Sequence, residues 1–324
     1  MLAIRIHAHG GPESLVPEVL PEPRPGPGEA LVRHDAIGVN LIDTYHRAGL
    51  YPLPLPSGIG LEAAGVVASV GDGVAGLQPG DRVAYLAVAP GSYASHRVVP
   101  ADRLVPLPDA VDAATAAAVL LKGMTVEFLV QRCFAVAPGQ WAVVHAAAGG
   151  VGQLLCQWLR ERGAHVVAVV GSAARTGVVR ALGIDHVLVD RGTDALPSFV
   201  RTVTGGAMAD VAYDSVGKAT LLGSMQCLRP RGMLVSYGNA SGVPDPVDVL
   251  ELARHGSLFL TRPKLFDYVA TRTELLASAA AVFDRVRDGR LRVRIHAELP
   301  LREAARAHEI LASRTVDGAL VLRP

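Results

Sequence analysis

The spacing of apolar positions changes twice along the chain, and those changes outline its architecture. Up to about residue 108, short apolar or alternating runs at 2–7, 30–39, 63–70, 82–86 and 93–99 are broken by Gly and Pro. Runs of that length between turn residues, here 21–28 and Gly71-Asp72-Gly73, predict strands and a β-rich domain. Residues 111–137 are Ala- and Leu-rich and predict a helix that leads into a strand at Trp141. From there, buried runs at 141–144, 165–170, 186–189, 210–213, 233–237 and 257–260 alternate with helix-length segments. Six strands joined by crossovers predict an α/β fold with a doubly wound parallel sheet. Beyond about residue 263, Leu275, Leu276, Ala279, Val282, Phe283 and Val286 mark one face of a long helix. A strand at 291–297, a helix at 302–312 and a strand at 319–322 follow, so the tail is expected to return to the first domain. The expected division is 1–124, 125–262 and 263–324.

The first strand of the alternating region ends in Ala146-Ala147-Ala148-Gly149-Gly150-Val151-Gly152. Val151, Leu154, Leu155, Trp158 and Leu159 then build one apolar helix face. Strand, tight turn and helix is how a dinucleotide pyrophosphate is held. Glycine lets backbone approach phosphate, and the unpaired N–H groups at the helix start supply partial positive charge. Gly149 and Gly152 take the second and third positions of G-x-G-x-x-G, and Ala147 stands at the first. Alone, such a turn equally describes a strand close-packed on a helix. Its place after the first of six strands makes Ala148, Gly149, Gly150, Val151 and Gly152 candidate phosphate contacts.

Composition narrows the partner. A formal charge of +1 without a Lys/Arg block provides no electrostatic footprint for nucleic acid or a membrane surface, and favours a small molecule. No uninterrupted apolar run reaches about 18 residues, and the N-terminus lacks a secretory pattern, so a cytoplasmic location is expected. Cys133, Cys156 and Cys227 are widely spaced in apolar contexts and suggest neither a disulfide framework nor a zinc knuckle. Lys122 sits inside an Ala/Leu run, where a buried ammonium needs a partner or a cofactor oxygen. The alternative is a stem that snorkels over a helix.

The chain resembles the quinone oxidoreductase group of the zinc-free medium-chain dehydrogenase/reductase family, which includes zeta-crystallin. The resemblance runs over the full length. It rests on 36–45 (AIGVNLIDTY), Gly49-Leu50-Tyr51-Pro52, 60–65 (GLEAAG), Leu121-Lys122-Gly123-Met124-Thr125, 145–152, Tyr213-Asp214-Ser215-Val216-Gly217, Val235-Ser236-Tyr237-Gly238-Asn239 and Ala307-His308-Glu309. It implies a GroES-like β-rich catalytic domain built from both chain ends around a central Rossmann domain, NADPH in the interdomain cleft, and a homodimer. Zinc-dependent alcohol dehydrogenases of the wider family ligate their metal with Cys, His and Cys. The matching positions here are Asp43, Leu61 and Lys122, and leucine cannot ligate while a protonated lysine repels a cation. No metal site is expected.

By the same resemblance Lys122 lies beside the nicotinamide ribose, with Thr125 in its motif, and Asn40, Asp43, Tyr45 and Tyr51 face it from matching loops. Asp43 either pairs with Lys122 or caps a helix starting near Thr44. Tyr51 either covers the nicotinamide or substrate ring or serves packing and turn chemistry with Pro52. An acid about 20 positions past the glycine turn would hold the ribose 2′-hydroxyl of NAD(H), but Gly171-Ser172-Ala173-Ala174-Arg175 contains none. Ser172 and Arg175 suit a 2′-phosphate, although a lone arginine also fits a solvated helix position. Asp190 stands where the family often has tyrosine. A carboxylate about 4 Å from a phosphate would cost roughly 1 kcal/mol when solvated and about 4 in a surface-like dielectric. NADPH is the expected cofactor. Ser215 and Val216, then Tyr237, Gly238 and Asn239, then Leu260, Thr261 and Arg262 follow the fourth, fifth and sixth strands, where open α/β sheets bind ligands. Arg314 rests on the resemblance alone, and His145 reads as a packed strand residue.

The function implied is hydride or single-electron transfer from NADPH to a quinone, with the protein supplying orientation and exclusion of water. A reductase of conjugated enals, enones or enoyl thioesters is the alternative. It would need an acid such as Tyr45, Tyr51 or Lys122. A crystallin-like NADPH-binding or RNA-interacting role is a third, and the near-zero charge argues against RNA.

Overall fold

Buried Val and Ala runs assemble the parallel sheet that the alternating pattern predicts. In a computed structural model describing residues 1–190, 195–313 and 315–324, Thr125–Tyr268 form one unit. Its strands are Trp141–Val144, His165–Val170, His186–Val189, Ala209–Asp214, Leu228–Ser236 and Phe259–Thr261. They lie in the spatial order third, second, first, fourth, fifth, sixth, and every neighbouring pair is parallel. That order reverses between the first and fourth strands, which puts the ligand crevice of such a sheet at their carboxyl ends, beside Val144 and Asp214. Ala142, Val143 and Val144 have no exposed surface because helices cover both faces of a sheet of this kind. Helix Gly150–Glu161 lays Leu154, Leu155, Trp158 and Leu159 inward. Each side chain of that size contributes about 1.5–3 kcal/mol on burial.

The fifth strand starts earlier than its apolar run at 233–237. Its ladder begins at Leu228 and passes a register shift opposite Ala209–Val211, with Arg231 at φ +62°. Pro230 and Gly232 hide this stretch in the sequence, because both are typical of bulges rather than strand interiors.

Met1–Met124 and Val269–Pro324 form the other unit. Its largest sheet is organised on one long strand, Glu29–Val39, which pairs with Glu62–Val70 along most of its length. His96–Pro100 joins one end of that strand, and the C-terminal strand Ala319–Arg323 pairs antiparallel with the other, Leu320 opposite Val39. A small sheet of Val16–Val19, Leu2–Ile6 and Ser57–Gly58 packs beside it. The core holds Ile4, Ile37, Ile59, Tyr85, Leu104 and Leu320. The alternating run at 93–99 is a ladder only from His96. Tyr93 bonds to Ile4 and Ile59, whereas Ser95 donates to Leu2 O and accepts from His34 N of the long strand, so this stretch bridges the long strand and the small sheet before the ladder begins. Helix Ala113–Phe128 carries Lys122 and ends in a π-helical turn, Leu129–Cys133.

Candidate active site

At the carboxyl end of the first strand of the nucleotide-type sheet, the backbone turns sharply. Ala146 takes φ +49°, the left-handed conformation that usually falls to glycine, one residue before the Ala147 that stands in for the first motif glycine. Gly149 N donates back to Ala146 O at 2.8 Å, and the helix begins at Gly150 with Gly149 as its N-cap. A Cβ on Gly152 would lie 2.3 Å from Ala146 O, so only glycine lets this helix pack onto its own turn. Ala148 is buried, and Val151 is half-buried rather than fully on the apolar face. A twelve-residue helix thus opens with several N–H groups behind glycines, which is what a pyrophosphate requires.

The loops after the fourth and fifth strands are tied to each other. Asp214 is fully buried, and its carboxylate accepts from Val216 N (2.8 Å), Gly217 N (2.9 Å), Thr220 Oγ1 (2.8 Å) and Ser224 Oγ (2.7 Å). Tyr237 N donates to Asp214 O, and Ala240 N to Ser215 O. A Cβ on Gly238 would lie 2.4 Å from Ser215 O, so the two loops touch through glycine. With its amide oriented to satisfy both neighbours, Asn239 donates to Gly238 O (2.8 Å) and accepts from Arg262 (3.2 Å). Thr261 is half-buried and Leu260 exposed beside it. Burial pushes the Tyr237 phenol up, opposed by Ser215.

His145 is also part of this knot. Ser224 gives its proton to Asp214, so the 2.8 Å contact between Ser224 Oγ and His145 Nε2 is donated by the imidazole. Burial depresses the His145 pKa, and the ring is packed as expected, although the residue lies in the turn just past the strand Trp141–Val144.

At the end of the second strand, Gly171 is exposed, with nothing within 4 Å of a built Cβ. Ser172 precedes a 3₁₀ turn that ends at the half-buried Arg175. Asp190 is buried after the third strand, with its N–H on Val170 O at 3.0 Å. Arg314 lies outside the described residues.

In the other unit, Asn40 is the N-cap of helix Leu41–Ala48 and Asp43 its third residue. Asn40 N donates to Asp43 Oδ2 at 2.8 Å, forming a capping box. The helix therefore starts at Leu41 rather than near Thr44, and Asp43 secures it from inside the first turn. Lys122 does not pair with Asp43. Its ammonium lies 3.4 Å from Glu62 Oε1 and 3.4 Å from Val39 O. Glu62 is fully buried and also accepts from Asn40 Nδ2 (2.7 Å) and Leu121 N (2.7 Å). A Cβ on Gly38 would lie 2.3 Å from both Glu62 Oε1 and Ala117 O, so this glycine makes room for the carboxylate. Asp43 has no exposed surface, and its Oδ2 accepts a second bond from the Tyr93 hydroxyl at 3.0 Å. Its Oδ1 has no hydrogen-bond partner among the described residues. Burial pushes the Asp43 carboxyl up to about 7, helped by Glu62 and opposed by Asn40 N–H, Tyr93 and Lys122. Tyr45 and Tyr51 meet edge to face at 5.4 Å, and Tyr51 N donates to Tyr45 O. Thr125 lies three residues beyond Lys122 on the same helix and is the first residue of the nucleotide-type unit.

Residues 26–109 match the alcohol dehydrogenase GroES-like domain, and 150–269 match the zinc-binding dehydrogenase family. Quinone oxidoreductase 1 of Escherichia coli K12 is 42% identical over 324 residues, covering 99% of each chain. A 2-haloacrylate reductase of a Burkholderia species is 42% identical over 332 residues, covering 100% of this chain and 99% of its own. The crystal structure of the E. coli quinone oxidoreductase complexed with NADPH superposes with a TM-score of 0.97 at 41% identity and full coverage of both chains. The chain belongs to the zinc-free quinone oxidoreductase group of the medium-chain dehydrogenase/reductase family.

Membership in that group fits the residues at the metal-ligand positions. Leu61 is an apolar core residue, and Lys122 brings its own positive charge, which Glu62 balances. Sequence reasoning singled out Lys122 but missed Glu62, Tyr93 and Asp214. Glu62 had a signal, since it opens an otherwise apolar strand, Glu62–Val70. Tyr93 had none, because its partners are distant in the chain.

Proposed function

We infer that this protein is an NADPH:quinone oxidoreductase that works without a metal. The observation that carries the reading is the buried Lys122–Glu62–Asn40 cluster at the position where zinc-dependent relatives hold their metal, in a chain with full-length similarity to quinone oxidoreductases. NADPH, when bound, supplies a hydride or an electron to the acceptor. Gly149–Gly152 and the start of helix Gly150–Glu161 would hold its pyrophosphate, and the open space over Gly171 leaves room for the ribose near Ser172 and Arg175. Ser215, Val216, Tyr237, Gly238, Asn239, Leu260, Thr261 and Arg262 line the same ends of the sheet, where loops tied through Asp214 keep their backbone in place. Lys122, held by two oxygens, would supply the cation that the family resemblance puts beside the nicotinamide ribose. Asn40 is pinned by Glu62, and Tyr45 and Tyr51 form an aromatic corner suited to a flat ring. A reduced quinone takes its protons from solvent, so no dedicated acid is needed. The test is a steady-state comparison of NADPH and NADH against benzoquinone, naphthoquinone and phenanthrenequinone. Robust quinone turnover with NADPH is expected, and no turnover of any quinone would sink the reading.

Reduction of conjugated carbonyls is the second reading. Asp43 favours it, because a carboxyl pushed up to about 7 can hold a proton at neutral pH. Enones and 2-haloacrylates assayed beside the quinones separate the two. We infer further that the protein acts in the cytoplasm, on a small molecule rather than nucleic acid or membrane, and as a homodimer. The sixth strand supports the dimer, since it is an edge with Phe259 57% exposed and suits a second copy of this chain. Analytical ultracentrifugation showing a monomer would remove that part.

A further inference from the structure

Arg47, Tyr93 and His308 take no part in the function described so far, yet they are buried and joined to each other. Their hydrogen bonds have one consistent direction. A guanidinium only donates, so the 3.1 Å contact from Arg47 to His308 Nδ1 requires that nitrogen to be bare. A neutral imidazole then carries its proton on Nε2 and donates it to the Tyr93 oxygen, 3.0 Å away. This leaves the Tyr93 proton for Asp43 Oδ2 at 3.0 Å, where Asn40 N–H also arrives at 2.8 Å. With two donors aimed at Oδ2, a proton on this carboxyl group belongs on Oδ1, the buried atom without a partner.

We propose that His308, with Arg47 behind it and Tyr93 ahead, is a positioning residue whose one-way hydrogen-bond chain clamps Asp43 Oδ2 and makes Oδ1 the atom that takes up and releases the proton. The proposal rests on the assignment of Asp43 to the active site. The step is protonation alone. An O–H bond forms on Oδ1 with a proton supplied by solvent, and no electrons change hands. Burial, reinforced by the Arg47 charge, holds His308 down at about 3, so the chain keeps its direction at neutral pH. The charged and titratable groups facing Asp43 are Tyr93, Glu62 and Lys122; those facing His308 are Arg47 and Tyr93; Glu13 faces Arg47. The chain joins residues up to 261 positions apart, linking the C-terminal helix to the first helix of the unit.

The first test needs no variant. Long-range ¹H–¹⁵N NMR of the whole protein should show His308 as the neutral Nε2–H tautomer across neutral pH, and an Nδ1–H tautomer or an imidazolium would overturn the chain. The second uses Tyr93→Phe, which removes the donor to Oδ2 but keeps the ring, and His308→Asn, which breaks the bridge from Arg47. A carboxylate that loses a donor gains proton affinity. The Asp43 ¹³C carboxyl titration, followed without cofactor and assigned with Asp43→Asn, should therefore move up by about one pH unit, a tenfold change, in Tyr93→Phe and by less in His308→Asn, which leaves the Tyr93 hydroxyl but removes its donor. The kcat profile for a conjugated carbonyl, the substrate class that needs an acid, should move with it, while KM for that substrate changes less than about threefold. Coincident titrations in the wild type and both folded variants would overturn the proposal. If the titration shifts but Asp43→Asn leaves the kcat profile unchanged, the clamp stands and the assignment of Asp43 to the active site fails.

Discussion

Two fully buried carboxylates, Asp214 in the nucleotide-type unit and Asp43 in the catalytic unit, are held in opposite ways. Asp214 receives donors at both oxygens, from residues two to ten positions away. Asp43 receives both of its donors on one oxygen, and the other is bare. A saturated carboxylate is a knot that fixes loops. One with a bare oxygen in a dry site is stressed, and burial duly lifts Asp43 to about 7. Burial of charge alone therefore does not mark chemistry; incomplete satisfaction does.

The sharpest way to break the comparison is Asp214→Ala. It strands four donors, two of them backbone N–H groups, and should cost about 3–5 kcal/mol of stability by denaturant unfolding and abolish cofactor binding. A loss below about 1 kcal/mol would show that Asp214 is no knot.

Asp43 should behave in the reverse sense. Its folded pKa, about 7, lies above the ordinary 3.8, so the folded state binds this proton more tightly than the unfolded chain. That contribution to stability is complete below about pH 4 and lost as pH rises through about 7, up to about 4 kcal/mol in all. Unfolding midpoints of Asp43→Asn relative to wild type should therefore improve steadily between those limits. A difference that does not vary with pH would remove the argument.

Lys122→Met tests the neighbouring pair. Leaving Glu62 buried without its cation should lower kcat/KM for quinone about 100-fold, or about 2.7 kcal/mol. Adding Glu62→Gln should restore stability but not activity, because the charge seen by the ligand is still missing. Recovery of both would make the pair purely structural.

The smallest expected effect is at Gly171, where a Cβ would meet no atom of the described residues within 4 Å. Gly171→Asp places a carboxylate at the end of the second strand and should lower the NADPH-to-NADH ratio of kcat/KM about tenfold. An unchanged ratio would place cofactor discrimination elsewhere, with Asp190 the next residue to vary.

The doubly wound sheet and its glycine turn were legible because strand period, helix period and turn chemistry are local properties of the chain. Lys122 stood out for the same reason, as a charge in an apolar run. The departures are at 93–95, which the expected strand includes and the ladder does not, and at 228–232, which the ladder includes and the expected strand does not. The partners of Lys122 and Asp43 were not legible. Glu62 lies 60 positions from Lys122, Tyr93 lies 50 from Asp43, and His308 lies 215 from Tyr93. Residue types and local spacing alone thus determined the nucleotide turn, and the family resemblance added the exclusion of zinc ligation at Leu61. Which buried carboxylate is satisfied and which keeps a bare oxygen depends on the direction of hydrogen bonds between distant segments, and only the tertiary structure decides that.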